Sequence, residues 1–342
     1  MRAVVFHRHG GPEVLEETEL PDPHVGAGDV LVRVKAVALN HLDIFVRRGW
    51  PGLKLPLPHI LGSDVSGVIE RVGAEVQGLT PGTPVIVQPG ISCMRCEACL
   101  SGRDNACRSY GIVGENRTGG YAELVSVPHH NVVAKPDNLS FDEAAAAPLV
   151  LMTAWEMLVR RAAVQPGEWV LVQAAGSGVG SAGVQVAKLL GAKVIATAGS
   201  EEKLAKAQHL GADHGIDYGK QDLVAEVRRI AGPEGVDVVF EHVGATTWDA
   251  SLRVLKSGGR LVTCGATTGH DVRVDLRHLF WRRLSLLGST MGSKGDLIRI
   301  VGLLADGKLR AVVDRHLPLA EAREAHELLE HRATFGKIVL RP

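Results

Sequence analysis

Trp169-Val-Leu-Val-Gln-Ala-Ala-Gly-Ser-Gly-Val-Gly180 runs from four apolar residues through a glycine-rich turn, and Ser181–Leu190 continues it as an apolar helix. Glycines let the backbone come close to a pyrophosphate, and the helix N-terminus offers unpaired N–H groups and a dipole that favours anions. Alone, such a turn is a weak signal, because ordinary tight turns also use glycine. Here it sits inside a repeating strand–helix pattern, which makes it strong. Strands are expected at Lys193–Thr197, Ile216–Tyr218, Val236–Glu241 and Arg260–Cys264, and helices at Glu201–Leu210, Leu223–Ala231 and Thr247–Lys256. Gly211 and Gly232 fall just past helix ends, where a left-handed cap residue is wanted. Near-continuous apolar strands alternating with helices predict an α/β, doubly wound parallel sheet covered on both faces.

The chain before this stretch has a different texture. Val30–Val37, Gly67–Val72, Thr83–Val87, Tyr121–Val127 and Val132–Lys135 are short, β-branched and bounded by Gly, Pro or Asp, as in a small barrel-like domain. Ser140-Phe-Asp-Glu143 reads as a capping box opening a helix-rich stretch toward Arg161. Beyond the alternating segment, Ser293–Gly307 and Leu319–Arg332 read as amphipathic helices and Lys337–Leu340 as a closing strand. With 342 residues the chain suits two domains, and 45% hydrophobic with 22% charged residues indicates ample core. Formal net charge is zero and no Lys/Arg block stands out, so neither nucleic acid nor an anionic membrane is an expected partner. The N-terminal MRAVVFHRHGGPEVLEE reads as neither signal peptide nor span, and the expectation is a cytoplasmic protein.

Four of the five cysteines fall within fifteen residues, as Cys93, Cys96, Cys99 and Cys107. Four thiolates at this spacing are the ligand set of a closed tetrahedral Zn²⁺ site, in which the metal holds a loop and has no open position for chemistry. Disulfides are disfavoured by the crowded C-x-x-C spacing and the lack of a secretory signal. The bacterial iron–sulfur pattern needs its fourth Cys three residues on, followed by proline; here seven residues intervene and Arg108 follows.

The second strand of the alternating segment bears on the cofactor. An acid about 20 residues past the glycine turn would bond a ribose 2′-OH and repel a 2′-phosphate. Residues 196–200 are Ala-Thr-Ala-Gly-Ser, without an acid. Ser200 can donate to a phosphate and Lys203 can neutralise it. Glu201 and Glu202 argue the other way, yet at the helix start they serve the dipole equally well. The balance favours NADP, with NAD left open.

These motifs together resemble the medium-chain dehydrogenase/reductase superfamily over essentially the full length. The matching stretches are the four-cysteine lobe, Gly62-Ser-Asp-Val-Ser-Gly67, Gly119-Gly-Tyr-Ala-Glu123, Ala174–Gly180 and Gly336-Lys-Ile-Val-Leu340. The resemblance implies a GroES-like β-barrel catalytic domain over 1–150 and 292–342, with a zinc lobe at 90–110, and a Rossmann dinucleotide-binding domain over 151–291. It also implies an active site between them and cofactor contacts at Asn40, Thr153, Gly176, Ser177, Gly178, Val179, Gly180, Ser200, Lys203, Tyr218, Val243, Gly244, Gly265 and Lys337. Zinc alcohol dehydrogenases of the superfamily hold a second, catalytic zinc. At its ligand motifs this chain has Asn40-His41-Leu42-Asp43, Gly62-Ser63-Asp64 and a position near Leu151. Asn for Cys removes a thiolate, Ser for His an imidazole, and Leu offers no ligand atom, whereas a catalytic zinc needs three good protein ligands. The pattern Asn40–Asp43, Arg47–Gly49 and Gly62–Gly67 resembles instead the quinone oxidoreductase branch, which uses NADPH and no catalytic metal. Most of that branch lacks the cysteine lobe and has Gly where Ser177 stands.

Without a Lewis acid, hydride addition to a quinone or conjugated enone asks less than alcohol oxidation, because the acceptor oxygen spreads charge that hydrogen-bond donors can stabilise. Candidate catalytic residues are Asn40, His41 and Asp64. Asp43 and Asp64 are expected to bond backbone or Arg47 and Arg48, and His59 to be a loop histidine. The leading expectation is an NADPH-dependent reductase of quinones or activated alkenes. A zinc-type alcohol dehydrogenase and a non-enzymatic NADPH-binding sensor are the alternatives. Arg282–Met291 reads as an apolar sheet edge, which predicts a homodimer or a tetramer built from it.

Overall fold

The alternation that follows Trp169 folds as a six-stranded sheet in the computed structural model, which describes all 342 residues. Strand order is His214–Asp217, Lys193–Ala198, Trp169–Val172, Val236–Glu241, Leu255–Thr263, Ser285–Gly288, and every neighbouring pair is parallel. The order reverses at Trp169–Val172, so the glycine turn that follows it opens where doubly wound sheets take their ligands. Val170–Val172, Val194–Ala196 and Val236–Phe240 are buried along their length, which explains why they read as apolar runs, interrupted only by Asp237. Gly211 and Gly232 adopt φ of +113° and +95°, as helix ends of this type require. Two boundaries differ from expectation for one reason. Leu255 pairs with Val236, so the preceding helix stops at Arg253 and the strand starts well before Arg260. This unit spans Val150–Gly292.

The other unit joins Met1–Leu149 to Ser293–Pro342. Its main sheet runs Val132–Ala134, Pro84–Val87, Asp64–Val72, Asp29–Ala38, Lys337–Arg341, Val313–Pro318, and Leu124–Pro128 also pairs with Asp29–Ala38. All these pairs are antiparallel except the last, Lys337–Arg341 with Val313–Pro318. A smaller antiparallel sheet holds Glu16–Glu19, Arg2–Phe6 and His59–Ile60. Alternate residues of the long strands, among them Val30, Val32, Val34, Val125, Val127 and Ile338, converge on one apolar core. The capping box holds as read: the Glu143 N–H donates to Ser140 Oγ at 3.2 Å, and the Ser140 N–H to Glu143 Oε2 at 2.8 Å. Ser293 and Asp296 form a second such box at the start of Lys294–Ala305. No helix is long and apolar enough to cross a membrane.

Candidate functional site

The glycine turn is built for close approach. Ala174 takes φ of +46°, and Ser177 caps the Gly178–Leu189 helix by accepting the Gly180 N–H at 2.9 Å. A serine here thus has a structural task that glycine could not perform, and its hydroxyl also lies 3.4 Å from His242 Nε2. Gly180 has no room for a side chain, since a Cβ would stand 2.4 Å from the Ala174 carbonyl oxygen. Thr197 on the second strand accepts the Ala174 N–H at 2.9 Å and donates to Gln173 at 2.9 Å, fixing the turn from the side.

Val243 and Gly244 lie just past the fourth strand, Val236–Glu241, and Glu241 holds them. Its fully buried carboxylate accepts the N–H groups of His242, Val243 and Gly244 at 2.9, 2.6 and 3.2 Å on one oxygen. The other oxygen accepts the hydroxyls of Thr247 and Ser251 at 2.9 and 2.8 Å. The sequence reading missed Glu241; an acid closing a mostly apolar strand was the available signal. His242 lies alongside, with Nε2 2.9 Å from the Gln173 carbonyl, and burial lowers its pKa. Gly265 faces the His242 carbonyl, where a Cβ would come within 3.0 Å, and Thr153 is buried in the Pro148–Trp155 helix.

Past the second strand, Ser200 caps Glu201–His209 by accepting the Lys203 N–H at 3.3 Å. Tyr218, 53% exposed, lays its ring over Gly199, where a Cβ would lie 2.7 Å from the phenol oxygen. The two glutamates that spoke against a phosphate are each matched by a lysine, Glu201 by Lys220 at 2.9 Å and Glu202 by Lys206 at 2.6 Å. Lys220 is a cation at this end that the sequence reading did not count.

The sulfur atoms of Cys93, Cys96, Cys99 and Cys107 all lie within 4.8 Å of one another. The separations 93–99, 96–99 and 96–107 are 3.9, 3.5 and 3.8 Å. A tetrahedron with ~2.3 Å Zn–S bonds requires ~3.8 Å between sulfurs, and a disulfide ~2.05 Å. The set fits zinc, and these separations are longer than a disulfide's. Backbone N–H groups of Arg95 and Cys96 pull the Cys93 thiol down to about 6, toward the ligating thiolate. The lobe is tied down by Lys294, whose Nζ reaches the Gly90 carbonyl at 2.7 Å and whose N–H donates to Asp104 at 2.9 Å.

In the same unit a buried polar group gathers Asn40, Asp64 and Lys337. Asp64, fully buried, accepts the Leu149 N–H at 2.9 Å on one oxygen. Its other oxygen accepts the Asn40 amide at 3.0 Å and the Lys337 ammonium at 2.9 Å. Lys337 also reaches Asn40 Oδ1 at 2.5 Å and is 3% exposed. Asp43 lies below, accepting the N–H groups of Asn40 and Gly62 at 2.7 and 3.1 Å, and burial pushes its carboxyl up to about 6. His41 opens the His41–Arg48 helix and is only partly buried. Asp43 and Asp64 bond backbone N–H groups, as expected; Asp64 also takes the buried ammonium of Lys337, and neither meets Arg47 or Arg48, which both go to Glu330. One expectation needs correcting. His59 is no loop residue; it lies in a short strand, fully buried, with Nε2 3.1 Å from the Gly114 carbonyl.

This donor set does not suit a catalytic zinc. Asp64 already carries an ammonium partner, Asn40 is a neutral amide bonded to both, Ser63 offers only a hydroxyl, and Leu151 offers nothing. The cysteine lobe is the one cluster of three or more His, Cys, Asp or Glu with converging ligand atoms.

Residues 26–137 match the alcohol dehydrogenase GroES-like domain family, and residues 178–306 the zinc-binding dehydrogenase family. Among curated proteins, an NAD-dependent alcohol dehydrogenase of Sulfurisphaera tokodaii is 33% identical over all of both chains. A quinone oxidoreductase of Salmonella typhimurium is 32% identical over 99% of each. A crystal structure described as an NAD-dependent alcohol dehydrogenase superposes with a TM-score of 0.97 at 52% identity, covering 100% of both chains. The chain belongs to the medium-chain dehydrogenase/reductase superfamily. It is an NAD(P)-dependent oxidoreductase with a GroES-like domain and a Rossmann-type domain, acting on small molecules.

Proposed function

We propose that the protein reduces quinones or activated alkenes with NADPH, and that its single zinc is structural. The observation that carries this reading is the Asn40–Asp64–Lys337 group. The one carboxylate surviving at the superfamily's catalytic-zinc motifs is neutralised by a buried ammonium, so a dication there would face like charge and find none of its three usual ligands. When bound, the nicotinamide supplies a hydride. The chain's own residues do the rest. The Ser177 hydroxyl and the N–H groups opening the Gly178–Leu189 helix would hold the pyrophosphate. Ser200, Lys203 and Tyr218, with Lys220 close behind, would meet a 2′-phosphate, and no acid ends the second strand. Asn40 and Asp64 lock the start of the His41–Arg48 helix and leave the His41 imidazole as the candidate proton donor to the reduced acceptor.

A second reading is alcohol–carbonyl interconversion with NAD, favoured by the names of the relatives at 33% and 52% identity. Purified protein should be assayed with NADPH and NADH against 1,4-quinones and enones, and with NAD and NADP against alcohols, alongside elemental analysis. Quinone- or enone-dependent NADPH oxidation with one zinc per chain supports the proposal. Alcohol oxidation with two zinc atoms per chain refutes it in favour of the second reading. Tight NADPH binding without turnover on any acceptor would make the chain a binding protein on this scaffold.

A further inference from the structure

Four buried polar side chains of the Val150–Gly292 unit, Thr197, Gln173, Ser251 and Glu241, are hydrogen-bonded in series, and the reaction as proposed assigns none of them a part. They come from separate places in the chain. Gln173 follows the Trp169–Val172 strand, Thr197 lies in Lys193–Ala198, Glu241 ends Val236–Glu241, and Ser251 lies in the Ala245–Arg253 helix. Thr197 accepts the Ala174 N–H at 2.9 Å and donates to Gln173 Oε1 at 2.9 Å. Gln173 Nε2 donates to Ser251 Oγ at 3.1 Å, and Ser251 donates to Glu241 Oε2 at 2.8 Å. The other Glu241 oxygen receives the N–H groups of His242, Val243 and Gly244. The series thus begins in the glycine turn and ends in the turn after the fourth strand.

Donor chemistry allows one orientation. Five donors converge on Glu241, three on Oε1 and two on Oε2, which is the bonding of an ionised carboxylate that only accepts. Ser251 gives its single proton to that carboxylate and accepts from Gln173, so the amide nitrogen faces Ser251 and the amide oxygen faces Thr197. A backbone N–H only donates, so Thr197 accepts from Ala174 and its proton goes to Gln173. Turning the amide over would leave the Thr197 proton without an acceptor here and set Gln173 and Glu241 competing for one Ser251 proton. A parallel tie is made by His242, whose Nε2 lies 2.9 Å from the Gln173 carbonyl. A carbonyl only accepts, so the imidazole donates. We infer that Thr197, Gln173, Ser251, Glu241 and His242 are positioning residues that couple the glycine turn to Val243–Gly244, setting both as one body.

A dinucleotide that touches both turns needs them in mutual register, and order present before binding does not have to be created by it. A ligand that touches neither turn gains nothing from the coupling. The significance for binding rests on the reading that the glycine turn and Val243–Gly244 hold the cofactor; the bonds themselves do not depend on it.

The test uses Thr197→Val, which keeps the side chain's shape, and Ser251→Ala, which deletes only Oγ, each in the full-length protein. Amide hydrogen exchange should speed up in both variants at both turns, residues 174–177 and 242–244. The diagnostic turn is the one remote from the substitution. With the His242 tie intact, NADPH should bind about tenfold more weakly in each variant, the worth of one broken buried hydrogen bond. Adenosine 2′,5′-bisphosphate, which would reach only the Ser200, Lys203 and Tyr218 end, should stay within about twofold of the parent. Exchange that speeds up only at the turn beside each substitution would overturn the coupling. Equal weakening of both ligands would overturn the positioning role, because a generally loosened sheet harms both alike. A parent that binds neither ligand overturns the cofactor reading, and the exchange pattern then decides the coupling alone.

Discussion

Lys337 and Asp64 pair in the interior of the first unit, and the pair costs desolvation that only mutual satisfaction offsets. Lys337→Met strands a buried carboxylate and should lower unfolding free energy by about 3–5 kcal/mol, whereas the double variant with Asp64→Asn should recover much of it. Chemical denaturation measures both, and a single variant as stable as the parent would show that the pair is not what holds Asn40. Lys203 makes a cofactor prediction. Lys203→Ala should weaken NADPH by ~1.5–3 kcal/mol, the worth of one charge-assisted contact, and leave NADH nearly unchanged. Equal loss of both cofactors would mean that Lys203 does not read the phosphate. Single residues were also where sequence was least informative. Asn40, Asp43 and Asp64 stood out through their motifs, but their partners could not be read. The cation for Asp64 lies 273 positions away, and Arg47 is matched by a helix near the opposite end of the chain. Burial and pairing at such separations leave no local pattern.

Among the elements, the cysteine lobe was the most legible, because its four cysteines lie close in sequence and their sulfurs converge as a metal would require. Cys107→Ser should lose the metal, and protease cleavage should then concentrate at residues 90–110. The melting of the dinucleotide-binding unit should stay as in the parent, since the lobe's anchors Lys294 and Asp104 belong to the other unit. Retention of a full zinc equivalent in that variant would displace the metal from this lobe. The central parallel strands were also readable, being apolar along most of their length. Val313–Pro318 was not: Val-Asp-Arg-His-Leu-Pro has two exposed charged or polar positions in succession and too little apolar content to announce a strand. It is a strand because Lys337–Arg341 offers it a ladder. The Leu276–Trp281 helix escaped notice for the opposite reason, since its apolar residues face outward: Phe280 is 66% and Trp281 82% exposed.

At the scale of the molecule, that outward face adjoins in sequence the strand Ser285–Gly288, which closes one edge of the parallel sheet. Unpaired edge groups beside exposed aromatics invite a second copy, and we predict a homodimer joined at this edge, or a tetramer built from it. Light scattering at micromolar concentration should give at least twice the chain mass, and Leu286→Lys or Leu287→Lys should reduce it. A monomeric parent, or an assembly indifferent to both changes, would refute the edge as the interface. The return of the chain to its first unit has a consequence for how the protein is made. The sheet of Val150–Gly292 is drawn from one uninterrupted segment, so it can assemble while the ribosome is still at work. The other unit cannot: one of the strands paired with Asp29–Ala38 is Lys337–Arg341, which is translated only after the whole of Val150–Gly292. Until it emerges, Asp64 has no ammonium and the barrel has a gap in its central sheet. A nascent or prematurely stopped chain would therefore present a folded dinucleotide-binding unit tethered to an open barrel, the form that chaperones and proteases would meet first.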